Sequence, residues 1–263
     1  MPFTLSHAAA ALPFRRTRLV QSALVVGCFA PDFEYFLGHH GAFGHTLPGA
    51  FVFDLPLAFA VLWLFHHYAK EPLVACLPRG MRERLEPGPR SLSIRSVSHF
   101  ASITFSILVG IATHLLWDSF THPRFWVYQH WHFLHETVNL PWFGTRPWFG
   151  ILQYLSSVFG LVVILLWCVH WYRNTQPIHA DPFEQRPVSL SRIVLACAFA
   201  AAMMAGFLRA AVSGIPDGIS GSQRFATQAI ITLIPVLWIE IVVYGIIWNA
   251  TQARVDDRAT QVR

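Results

Sequence analysis

A chain of 263 residues that is 54% hydrophobic and only 13% charged, with a mean hydropathy of +0.44, carries more apolar side chain than a water-soluble domain of this size can bury. The formal net charge of +5 does not point to nucleic acid, because the arginines flank apolar runs in short loops and no basic stripe is interleaved with stacking aromatics. Cys28, Cys76, Cys168 and Cys197 are widely separated and form no C-x-x-C pair, which argues against a disulfide framework or a thiolate metal site.

In chain order, Arg15, Arg16 and Arg18 interrupt the first apolar stretch, so it lacks the core of a signal peptide and is expected to stay on the mature protein. Residues 19–38 begin as an apolar run and then meet Pro31, Asp32 and Glu34; they either span a bilayer or stop at a buried polar site. Five further runs, 51–69, 102–121, 151–171, 193–213 and 229–248, approach or reach the roughly 20 helical residues that a bilayer core requires. The expected architecture is therefore an all-α, polytopic transmembrane helical bundle of about six spans.

Loop charge orients it. The 70–100 loop carries Lys70, Arg79, Arg82, Arg84, Arg90 and Arg95, whereas the 122–150 loop has Arg124 and Arg146, so the first is expected inside and the second outside. Alternation then places both termini inside, in a multi-pass protein of a bacterial inner membrane whose expected partner is the lipid bilayer. Residues 1–125 form a front half that holds the polar motifs; residues 126–263 hold an outer aromatic and histidine loop and three further spans.

Chemistry-bearing residues gather at one predicted side. Eight of the 14 histidines, His39, His40, His45, His114, His122, His130, His132 and His135, fall at outer helix ends or in outer loops. His114 and Asp118 stand at i and i+4 on one helix face, where an imidazole and a carboxylate can share a metal ion or, alternatively, hydrogen-bond to a neighbouring span. His122 continues that face only if the helix persists ahead of Pro123. Asp32 and Glu34 lie beside Pro31, and acids at membrane depth pair, take up a proton or bind a cation. The turn from Gly38 to His45 is rich in glycine and histidine. If 7–14 and 19–32 make a helical hairpin turning at the arginines, His7 and Asp32 project to the same side. His130, His132 and His135 read as part of an interfacial aromatic belt, and Glu240 as a mid-span acid that is either functional or paired with Arg209.

These residues supply imidazole and carboxylate without thiolate, a set suited to Zn²⁺, Mn²⁺ or Fe²⁺. In such a site Glu34 is the candidate general base. Taken together, H-A-A-A at the start, A-P-D-F-E, G-H-H-G-x-x-G-H-T and T-H-L-L-W-D-S-F-T resemble the bacterial domain of unknown function 4184 family. More distantly they are similar to the YdjM-like membrane-bound metal-dependent hydrolases, whose helical fold is related to zinc-dependent phospholipase C. The resemblance covers roughly residues 1–125 and implies metal binding through His7, Asp32, His45, His114 and Asp118. The sequence departs from the hydrolases in having Gly44 before His45 and Glu34 in place of a second Asp. A metal-dependent hydrolase acting on a lipid or phosphoester is the leading expectation; a cation or proton-coupled transporter using Asp32, Glu34 and Glu240, or a structural membrane protein, are the alternatives.

Overall fold

The computed structural model describes residues 3–38, 42–85, 92–141, 144–177, 188–214 and 218–261. Among them, five helices are long and apolar enough to cross a membrane, and they coincide with the five strong apolar runs. The fold is all-α and polytopic, apart from one small hairpin among the described residues. The stretch 19–38 is not a sixth continuous helix. It forms α1 (Gln21–Phe29), a single 3₁₀ turn (Ala30–Asp32) and one further helical turn (Phe33–Phe36). Pro31, which has no amide hydrogen, stands at the break and ends the regular ladder just where the acids begin.

The chain divides into two compact units, Met1–Leu62 with Ser93–Arg173, and Trp63–Leu92 with Asn174–Arg263. The first unit starts with a 13-residue 3₁₀ helix, Thr4–Arg16, which turns back at its terminal arginines into α1. Helix α2, Leu47–Cys76, contributes residues through Leu62 to this unit; Thr46 caps it, its hydroxyl accepting the Gly49 amide at 3.1 Å. Two short π-helical segments, Ala50–Asp54 and Phe65–Ala69, lie within α2. Helix α3 (Val97–Thr121) begins at Ser96, whose hydroxyl accepts the His99 amide at 3.1 Å. A two-stranded antiparallel hairpin, β1 (Thr137–Leu140) with β2 (Gly144–Pro147), precedes α4 (Trp148–Asn174).

Helix α1 lies directly against α3. A Cβ at Gly27 would collide with the Ile107 carbonyl and one at Gly110 with the Leu24 carbonyl, so the glycines are what allow the two backbones to touch. The contact brings the C-terminal end of α1, which holds Cys28, and Asp32 just beyond it, to the level of His114 on α3. Leu24, Cys28, Ile103, Ile107 and Ile111 are buried along this seam. In the second unit, α5 (Val188–Val212) packs on α6 (Gly218–Gln261), which also meets the end of α2 around Tyr68.

Candidate metal centre

Four segments of the first unit deliver the cluster. The N-terminal 3₁₀ helix brings Thr4 and His7, the turn after α1 brings Asp32, the turn before α2 brings His45, and the last turns of α3 bring His114 and Asp118. All five candidate ligands are at most 6% exposed. His7 Nε2 lies 3.6 Å from Asp118 Oδ1, and His45 Nε2 lies 3.4 Å from Asp118 Oδ2 and 3.6 Å from Asp32 Oδ1. His114 Nε2 lies 3.5 Å from Asp118 Oδ2 and 3.7 Å from Asp32 Oδ1. Two triads, His7 with His114 and Asp118, and Asp32 with His45 and His114, each bring their donor atoms within 4.8 Å of one another, with His114 common to both.

The facing atoms are also the ones left without hydrogen bonds. His7 Nε2, Asp32 Oδ1, His45 Nε2, His114 Nε2 and both Asp118 oxygens are buried and unpartnered, an arrangement that costs free energy unless a cation sits among them. Bonds of about 2.1 Å in a tetrahedral shell place ligand atoms about 3.4 Å apart, close to the separations seen, so each triad fits three corners of a divalent ion's shell, with His114 common to the two.

Hydrogen bonds outside the cluster set the rings and carboxyls. His114 Nδ1 lies 2.8 Å from the Cys28 carbonyl, which can only accept; the ring therefore carries its proton on Nδ1 and turns the Nε2 lone pair inward. Thr4 donates its hydroxyl to Asp32 Oδ2 at 2.6 Å, leaving Oδ1 for the cluster. The His7 ring stacks on His114 with centroids 4.0 Å apart. Burial, aided by the neighbouring His114, pushes the His7 imidazole down to about 3, which keeps it neutral and able to ligate. Burial alone would also lower His45, but the Asp118 and Asp32 carboxylates outweigh it and raise this ring to about 9, so a metal ligated by its Nε2 displaces that proton.

Other expected residues fall at varying remove. Glu34 is buried, and its Oε2 accepts the Gly44 amide at 3.0 Å, beside His45; its Oε1 has no partner. His122 lies just past the end of α3 in extended backbone, yet its Nδ1 still comes within 3.4 Å of Asp118 Oδ2. His130 and His135 are exposed and stack on Trp126 and Tyr128, with His132 exposed near His135. His39 and His40 lie outside the described residues. Glu240 belongs to the other unit, where its Oε2 has no hydrogen-bond partner.

Sequence reasoning missed Thr4 and Asp54. Asp54 closes the π-helical segment of α2, is fully buried, and has neither oxygen hydrogen-bonded; a Cβ at Gly44 would come within 2.9 Å of its Oδ1. An acid inside the apolar run F-V-F-D-L-P-L was the available signal. Thr4 carried none, because a hydroxyl near a terminus is unremarkable until its partner is known.

A model of the family described as "Domain of unknown function (DUF4184)" matches residues 1–246, which takes in all of these side chains. The chain belongs to that family. The match extends well beyond the 1–125 region that carries the motifs, so the DUF4184 domain includes most of the second unit as well as the cluster. No curated protein and no solved structure matches the chain.

Proposed function

We propose that this DUF4184 protein is a membrane-embedded, metal-dependent hydrolase of ester or phosphoester bonds, distantly akin to the YdjM-like hydrolases. The reading rests on the convergence of unpartnered imidazole nitrogens and carboxylate oxygens from four segments upon His114, which both ligand triads share. His7, Asp32, His45, His114 and Asp118 hold the ion, Zn²⁺ best fitting the mixed nitrogen and oxygen donors with Mn²⁺ and Fe²⁺ also served by them. A divalent ion bound there supplies Lewis acidity at neutral pH.

The protein's own groups do the rest. Thr4 and the Cys28 carbonyl fix Asp32 and His114 before any ligand arrives. Glu34 spends one oxygen on the Gly44 amide and keeps the other free; we assign that oxygen as the general base that takes a proton from the attacking water. We orient the chain by its basic 70–100 loop, which sets the cluster, and with it Thr4 and His7, on the face away from the cytoplasm of a bacterial inner membrane. The N-terminal segment then lies outside rather than inside as alternation of six spans implied, because 19–38 does not cross.

The test is hydrolysis of a panel of chromogenic carboxylic and phosphate esters by purified protein, before and after metal removal with a chelator. Activity is expected to vanish on stripping and return with Zn²⁺. Glu34→Gln keeps an acceptor for the Gly44 amide but not a base, so it should retain metal and lose about 10²- to 10⁴-fold in kcat. Equal turnover by stripped protein, or an unchanged Glu34→Gln rate, contradicts the assignment.

A further inference from the structure

A cavity of about 760 Å³ adjoins the cluster, running between the N-terminal 3₁₀ helix, α3 and α4. His7 belongs to both: its Nε2 faces Asp118, and its ring forms part of the cavity wall beside Trp117. Away from His7 the lining becomes apolar, through Ala10, Leu12, Phe159 and Val163, until Arg15 and Arg16. The 3₁₀ helix and α4 run side by side in the same chain direction, since the Phe3 amide donates to Ser157 Oγ at 2.9 Å and Ser6 lies against Gly160. At about 2.0 Å per residue, the path from His7 to Arg15 is about 16 Å. Both arginines are exposed.

The size is that of a ligand site, but the distribution of polarity is unusual for one. A water-soluble ester would need polar groups along its length, whereas here Ser6, Thr113 and Ser156 gather with His7 toward one end and the arginines stand at the other. Arginines that follow an apolar stretch of this length mark the place where a side chain snorkels out toward a membrane interface. The groove therefore runs along the direction of the lipid chains, closed at one end by the candidate ligands and at the other by cations.

We propose that this groove holds one alkyl chain of a membrane lipid, with the lipid's ester or phosphoester linkage at His7 and Asp118 and the chain end toward Arg15 and Arg16. The proposal rests on the hydrolase reading of the cluster and narrows its substrate to a bilayer lipid. His7 then faces both the ion and the polar end of the substrate, which explains why a ligand is drawn from the wall of the groove.

Photo-crosslinking of the full-length protein in phosphatidylethanolamine vesicles tests it, using phosphatidylglycerol that carries a diazirine either at the chain end or near the ester. The chain-end probe should label Leu12, Pro13 and Trp167, and the ester-proximal probe His7, Trp117 and Ser156. Val163→Trp, which fills the groove, should reduce both at least tenfold; Ala10→Phe on the facing wall should do the same, so that one misfolded variant does not decide the outcome. Leu166→Trp, exposed on α4, should change neither. Labels spread evenly over Leu165 and Leu166, insensitivity to both groove-filling variants, or an inverted order of the two probes would overturn the proposal. Labelling is expected to survive in metal-free His114→Ala protein. Groove labelling without metal in the wild type thus sinks only the hydrolase reading, and metal without groove labelling sinks only the lipid assignment.

Discussion

The two units bury polar groups in different ways. In the second, polar side chains serve nearby backbone: the buried Arg82 guanidinium donates to the Ala75 and Leu77 carbonyls, each at 2.9 Å, and Asn249 donates to the His67 carbonyl at 2.8 Å. The acid Glu240 stands there with an unpartnered Oε2 in an apolar helix, apart from the imidazoles and carboxylates of the first unit. In the first unit, carboxylates and imidazoles from four segments point at each other instead, and none of the facing atoms has a hydrogen bond. Burial of an acid alone does not mark a site in a membrane protein; convergence of several unpartnered donors does.

Substitutions can break that contrast. Asp118 faces His7, His45, His114 and His122 at 3.4–3.6 Å, so Asp118→Ala should weaken metal binding by more than about 100-fold, beyond what loss of an outer-shell partner costs. A competition titration against a chelator of known affinity measures it; affinity close to wild type would show that the carboxylate is structural. Thr4→Val removes the hydroxyl that orients Asp32 and is expected to cost about 10- to 100-fold in the same titration while every ligand remains. No change there would mean that Asp32 is held by other contacts. The smallest effect belongs to the second unit. Glu240→Gln should leave metal content unchanged and alter stability by less than about 1 kcal/mol on unfolding. Loss of metal in that variant would erase the distinction between the units.

Much of the fold was legible because a bilayer imposes long apolar runs, and all five strong ones became long helices. Residues 19–38 were ambiguous for a physical reason: apolarity argued for a span while Pro31 and its flanking acids argued for a break, and the break prevailed. The 3₁₀ form of Thr4–Arg16 was not legible, since thirteen-residue 3₁₀ helices are uncommon and this one is held by tertiary contacts with α1 and α4. Nor was the hairpin at Thr137–Pro147, whose strands are only four residues each.

At the site, the i, i+4 spacing of His114 and Asp118 was readable within one helix. The meeting of His7, Asp32 and His45 with them depended on the turn at the arginines and on the Gly27 and Gly110 contact, which no local pattern encodes. Asp54 has no local partner in its apolar run; the π-helical turn and the neighbouring Gly44 place it beside the turn that carries His45.

Elemental analysis of the purified full-length protein, wild type beside His114→Ala, tests the central claim most directly. His114 belongs to both ligand triads, so the wild type should carry one equivalent of a divalent transition metal and the variant, folded by circular dichroism and gel filtration, close to none. Wild-type protein that neither retains nor takes up metal, or a His114→Ala variant that holds a full equivalent, would contradict the account.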